Sequence, residues 1–131
     1  MFLDILIDFF KLCPALAGKN INQNFLAPSV DSCSLVSVSA NPVFKTYTDG
    51  GAVYQSVFRL VLRAPFNKDF NFSSFYSSFF KWVESVNSPD SLPYLGEDFS
   101  PVSLSVTDSG EIRSSSPSFS EYEIVCRFLY S

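Results

Sequence analysis

The sequence predicts an α+β fold, a two-layer sandwich in which a mainly antiparallel sheet carries two helices on one face. Three observations predict it. The run Val53-Tyr54-Gln55-Ser56-Val57-Phe58-Arg59-Leu60-Val61-Leu62-Arg63 reads without interruption as one strand. A second run, residues 119–130, mirrors it near the other end of the chain. Two amphipathic helical patterns, residues 2–13 and 72–86, alternate with the strand patterns. Helices collected on one face of an antiparallel sheet bury both apolar surfaces in two layers.

The first helical pattern places Phe2, Ile5, Leu6, Phe9, Leu12 and Cys13 at helical spacing, with Asp4, Asp8 and Lys11 opposite them. Pro14 disfavours helical geometry at Cys13, so the helix ends there or passes into a short turn, and Gly18 closes the unit. Residues 19–32 are polar and read as a loop pinned by Ile21 and the pair Phe25-Leu26, ending at Pro28. A strand follows over residues 34–39. After the break at Asn41-Pro42, a short strand over 43–48 completes the 34–48 region.

Thr48-Asp49-Gly50-Gly51 lies between two strand-like runs, a strong hairpin signal. It folds 43–48 back onto the long strand 53–63. In that strand Tyr54, Ser56, Phe58, Leu60 and Leu62 share one face, which belongs on a core. The other face alternates valine with Gln55, Arg59 and Arg63. It is too apolar for bulk water and too charged for a dry interior, and a neighbouring subunit is one way to cover it.

Residues 65–71 read as a loop. The second helix, 72–86, carries a wide stripe of Phe72, Phe75, Tyr76, Phe79, Trp82, Val83 and Val86, and Asn71 or Ser73 can cap its start. Its many serines are poor helix formers, so packing must hold it. A Pro- and Ser-rich loop over 87–101 contains Leu92-Pro93-Tyr94-Leu95. Residues 102–107 alternate cleanly as a strand with one wet face. Asp108-Ser109-Gly110 turns the chain, and 111–118 read as a polar, mobile excursion. The last strand, 119–130, puts Tyr122, Ile124, Cys126, Phe128 and Tyr130 on one face, and Glu121, Glu123, Val125, Arg127 and Leu129 on the other. If the two long strands lie antiparallel, Arg63 and Arg59 can face Glu121 and Glu123 across the ladder. Otherwise these charges are exposed and pair across a subunit interface. No internal repeat is visible in the sequence.

The 131 residues suit one domain with a real core. Hydrophobic content of 47%, aromatic content of 17% and 15 phenylalanines rule against disorder. The aromatic surplus either fills an unusually aromatic core or meets partners. Net charge is -4 with no basic block, against dedicated nucleic-acid binding. The apolar start of the chain is interrupted by Asp4 and Asp8 and has no basic leader, so neither a signal peptide nor a membrane span is expected.

No histidine occurs, which removes His-based triads, most zinc sites and the commonest general base. Cys13, Cys33 and Cys126 are widely spaced and read as buried free thiols in a reducing cytoplasm. Only Cys126 has a basic neighbour, Arg127. Gly50-Gly51 leads into a strand and is no phosphate loop. The carboxylates Glu121 with Glu123, and Glu97 with Asp98, read as solvated charges rather than a glycosidase pair. Asp90, Glu97, Asp98 and Asp108 lack metal-loop spacing. The expectation is a protein that is not an enzyme and carries no cofactor or metal.

An ordered set of motifs carries a family resemblance. Asn22-x-x-Phe25-Leu26 follows the first helix. Lys45-x-Tyr47-x-Asp49-Gly50 leads to Gln55-x-x-Phe58. Then come Phe75-Tyr76-x-x-Phe79-x-Lys81-Trp82-Val83-Glu84, Leu92-Pro93-x-Leu95, and Tyr122-x-Ile124-x-Cys126-Arg127-x-x-Tyr130. The set resembles the small minor capsid or tail-terminator proteins of long-tailed phages and prophages of Gram-positive bacteria. It spans nearly the whole chain. The serines of 114–120, usually more acidic in the family, and those of the second helix depart from the pattern and bear on partner choice.

The resemblance implies a lambda-type α+β ring protein at the head–tail junction of the virion, assembled in the host cytoplasm. Its partners would be further copies of itself, typically six, the major tail tube protein and a head-completion or connector protein. Genomic DNA would pass through the lumen past a mildly acidic wall without specific binding, and no membrane would be involved. Alternatives are a head-completion protein of the same region or a small ligand-binding domain. Ring contacts are heterologous and need two unlike patches. The candidate contact residues are Gln55, Val57, Arg59, Val61 and Arg63 on the first long strand, Glu121, Glu123 and Arg127 on the last, and Tyr94. For Arg59 and Arg63 a plain solvated face is the competing reading, and for Trp82 a core anchor.

Overall fold

The computed structural model describes residues 2–16, 21–23, 33–65, 71–88, 90–107, 111–115 and 119–131. Along them the chain forms α1 (Leu3–Phe10), a 3₁₀ turn (Pro14–Leu16), β1 (Ile21–Gln23), β2 (Cys33–Val38), β3 (Val43–Thr46) and β4 (Ala52–Pro65). It continues with α2 (Phe72–Val86), β5 (Pro101–Val106), β6 (Glu111–Ser115) and β7 (Phe119–Tyr130). The fold is α+β. Its seven strands make one mixed sheet ordered β1-β2-β4-β7-β5, with β3 also on β4 and β6 also on β7.

The two longest strands lie side by side at the centre. They run antiparallel in unbroken register from Tyr54↔Tyr130 to Pro65↔Phe119. Each has its second edge covered by two shorter strands in succession. β2 pairs with Val57–Leu62 of β4, and β3 with Ala52–Tyr54. β5 pairs with the Cys126–Tyr130 end of β7, and β6 with Ser120–Glu123. β1 adds to β2 in parallel, while every other pairing is antiparallel.

The predicted tight turn closes the β3–β4 hairpin. Gly50 N donates to Tyr47 O at 3.1 Å, Tyr47 N donates to Gly51 O at 2.8 Å, and Gly51 N donates to Asp49 Oδ1 at 2.9 Å. Gly50 sits at φ 90°, where any side chain would be strained, so glycine is the residue that suits this position.

Both helices cover one face of the sheet. From β4 that face supplies Phe58, Leu60 and Leu62, and from β7 Ile124, Cys126, Phe128 and Tyr130, all buried. Phe10 of α1 is fully buried among Phe58, Phe79 and Trp82, with ring centroids 5.7–5.8 Å apart. Trp82 also meets Phe9 at 5.2 Å, which makes it a core anchor. Phe72 stacks on Tyr122 at 4.2 Å, fixing the start of α2 to β7. The Asn71 side chain caps α2 by accepting from Ser74 N at 3.2 Å. Most of the aromatic surplus is therefore core. Among the described residues the large hydrophobics left exposed are Leu12, Val43, Phe44, Tyr47, Phe80, Tyr94 and Val102.

The structure corrects several expectations. In α1 the buried residues are Leu3, Leu6, Ile7, Phe9 and Phe10, whereas Leu12 is 70% exposed and Ile5 only partly covered. The helix stops at Phe10, two residues before Leu12, and Leu12 leaves the stripe. Residues 21–23, read as loop, form β1. Their strand state comes from β2, with Ser34 Oγ donating to Asn22 O at 3.1 Å, and three residues are too few to show alternation. Residues 111–115, read as a mobile excursion, form β6 on the edge of β7. Val102, placed on the apolar face of its strand, lies at a register shift between Pro101 and Ser103 and is 37% exposed. The expectations for Gly18, Phe25-Leu26, Pro28, residues 66–70, the turn 108–110 and residues 116–118 fall outside the described residues.

Phe58 is fully buried where α1 meets the central ladder. Phe58→Ala is expected to lower unfolding free energy by about 3–5 kcal/mol, because the cavity lies under two helices that cannot collapse into it. Urea denaturation followed by far-UV circular dichroism measures the loss.

Candidate interaction surface

The face of the sheet opposite the helices carries eight of the nine sequence-selected residues. On β4 and β7 side chains alternate between faces, so Gln55, Val57, Arg59, Val61 and Arg63 fall beside Glu121, Glu123, Val125, Arg127 and Leu129. Apart from Val61, all of these are partly exposed. Tyr94 is separate. It stands on the loop joining α2 to β5, between buried Leu92 and Leu95, and is 76% exposed.

Register decides the electrostatics of this face. Arg63 lies directly across from Glu121. Its Nη2 and Nε both donate to Glu121 Oε1, at 2.7 and 3.2 Å, and both side chains are only 14% exposed. Arg59 reaches diagonally to Glu123 at 3.9 Å, with the side chains 40% and 19% exposed. Of the two arrangements open from sequence, the structure has the one within a single chain. These pairs flank Val61, which is 0% exposed. Val61 sits opposite Glu123 and one residue from each arginine position along the face, where alkyl stems cover apolar surface. Covered this way, Val61 offers a partner no surface in this conformation.

Arg127 differs. Among the described residues it has no carboxylate partner, and its Nε is buried without a hydrogen bond. The ring of Phe44 lies over its guanidinium, 5.2 Å from centroid to carbon. Phe44 comes from β3, on the far side of β4. A register shift between Val43 and Lys45 makes Phe44 the extra residue, and a bulge re-aims such a side chain. Gln55 supports the same corner, its Nε2 donating to Asn41 O at 2.6 Å while its Oε1 is buried without a partner. Sequence reasoning missed Phe44. The signal lay in Asn41-Pro42, whose break bends the chain just before it.

Cys126 and Arg127 are consecutive strand residues and point to opposite faces, so the cation does not activate the thiol. Burial pushes the Cys126 thiol far above the ordinary range, and it pushes Cys13 up as well. Cys13, Cys33 and Cys126 are all buried and unbridged. Among the described residues, no group of three or more His, Cys, Asp and Glu is arranged to hold a metal, and no helix is long and apolar enough to cross a membrane. Compared with protein-family models and with curated proteins, the chain matches none.

The two ion pairs should differ in weight. Arg63→Met is expected to cost about 1.5–3 kcal/mol, because it strands a mostly buried carboxylate. Adding Glu121→Leu should recover most of that loss, and Arg59→Met should cost less than about 1 kcal/mol. Chemical denaturation of the four proteins checks the order.

The thiols set a pH dependence. A folded-state pKa raised by burial leaves stability intact below the unfolded thiol's value of about 8.5. Above it the unfolded chain ionises and the folded chain does not, so stability falls as pH rises. Denaturation midpoints measured from pH 7 to 10 should decline, and Ellman's reagent should label the native protein slowly and the denatured protein at all three cysteines.

Proposed function

We propose that this chain is a tail terminator of a long-tailed phage or prophage, a structural subunit that closes into a ring on the tail tube and presents the other side of that ring to the head. In this reading the fold is the two-layer sandwich of the lambda-type ring proteins. The observation that carries it is the division of the sheet. One face is spent on the helices and the core. The opposite face has no described helix on it, stays half exposed, and has Arg59 and Arg63, two of the three arginines that β4 and β7 place there, already neutralised by glutamates. An interface core favours apolar area and arginine over loose charge, and this face supplies both.

The ordered motifs named above support the same reading, and the structure gives them work to do. Tyr47, Asp49 and Gly50 build the hairpin turn. Phe58, Phe79, Trp82, Leu92, Leu95, Ile124, Cys126 and Tyr130 all belong to the core or pack against it. Binding work of this kind needs no substrate turnover.

Negative-stain imaging of the purified protein, with and without the major tail tube protein of the same phage, tests the proposal. The expected result is closed rings, free or seated on tube ends, together with tubes of limited length. A chain that stays monomeric at all concentrations and leaves tube growth unchanged overturns it.

A further inference from the structure

Of the seven exposed large hydrophobics among the described residues, Leu12 and Phe80 belong to the helical segments and the other five to two regions of the sheet. Val43, Phe44 and Tyr47 lie on the β3 edge, beside β4. Val102 lies on β5, beyond β7, and Tyr94 on the loop that leads into that strand. The loop that carries Tyr94 is tied at one end to β5 and at the other to the residue after β7. Asn87 Oδ1 accepts from Leu104 N at 2.8 Å, and Ser100 exchanges backbone hydrogen bonds with Ser131 at 2.8 and 2.9 Å. β3 and β5 flank the same end of the central pair from opposite sides, so the two apolar edges face away from each other.

Their charges are unlike. The β3 side holds Arg127, without a carboxylate partner among the described residues, beneath Phe44, and exposed Lys45 over the Tyr47 ring. Asp49, at the hairpin tip, accepts from Gly51 N through its Oδ1. The loop leading into β5 holds exposed Glu97 and Asp98, three and four residues after Tyr94. A half-buried arginine under an aromatic ring, with a buried Nε lacking an acceptor, is the kind of group that anchors an interface.

We propose that copies of this chain join head to tail through these two edges, with the Phe44–Arg127 corner of one copy receiving the Tyr94 ring and the Glu97 and Asp98 carboxylates of the next. This names the contact within the ring proposed above and rests on that reading. The patch on each copy differs from the patch it meets, so the contact is heterologous and repeats until it closes.

Charge reversal tests it. Arg127→Glu alone, and Glu97→Lys with Asp98→Lys alone, should each weaken assembly at least about tenfold, read by light scattering with and without tube protein. Mixing the two variants should restore association, because each supplies the edge the other lacks. Phe44→Ser, at a residue 45% exposed, stands in on the β3 side if Arg127→Glu fails to fold, as judged by thermal melting. If the wild type assembles and the reversal variants assemble equally well, the edges are wrong while the ring reading survives. If the wild type stays monomeric with and without tube protein, the ring reading falls and takes this contact with it.

Discussion

The antiparallel ladder between β4 and β7 is the interaction on which the rest of the structure depends. It joins strands whose pairing residues lie 54–76 positions apart in the chain, from Pro65↔Phe119 to Tyr54↔Tyr130. Because side-chain direction alternates with a period of two, one register sets both faces. It puts Phe58 opposite Cys126 and Leu60 opposite Ile124 beneath the helices, and Arg63 opposite Glu121 on the other side. A slip by one residue would carry the arginines into the core. The Arg63–Glu121 pair therefore counts for more as a check on register than for its own free energy.

The ladder also organises the topology as two similar halves. α1 precedes β2, β3 and β4, and α2 precedes β5, β6 and β7. In each half a helix leads to an outer strand broken in the middle, and then to a long inner strand. α1 packs beside β1 and β2, and α2 beside β5. In strand order and pairing the halves correspond, β2 to β5 and β3 to β6. No repeat shows in the sequence because the halves meet the shared core differently. α1 buries Leu and Ile as well as Phe, whereas α2 reaches the core through Phe79 and Val83 from a serine-rich helix.

What the sequence made legible follows from this arrangement. Long elements with a clear period, β4, β7 and α2, lie within one or two residues of their predicted bounds, because their own patterns carry the signal. The Asp49-Gly50 turn is a local device and was equally legible. β1 and β6 were not, since both are short, polar and made into strands only by a partner. The bulges at Phe44 and Val102 were invisible for a related reason. An extra residue preserves composition and breaks alternation, so a strand template places both side chains on the wrong face. At the surface, the pairing of Arg63 with Glu121 was readable from mirrored charges on two long strands. The isolation of Arg127 was not, because it depends on Phe44 crossing over β4.

The edges show which kind of association this sheet permits. Open strand edges invite backbone pairing with another chain, and proteins guard them. The edge of β2 is covered by β1 over Cys33–Leu35. On β5, Pro101 has no N–H, the strand bulges at Val102, and Leu104 N is already bonded to Asn87. Strand addition on that side would break an existing hydrogen bond and meet a kinked backbone. A partner on the β5 side must therefore be held by side chains, which gives weight to Tyr94 and its neighbouring carboxylates over any continuous intermolecular sheet. The same argument explains why the aromatic content matters at the surface although most of it is buried. With backbone pairing blocked there, the few exposed rings at two opposite edges are the groups left to supply area.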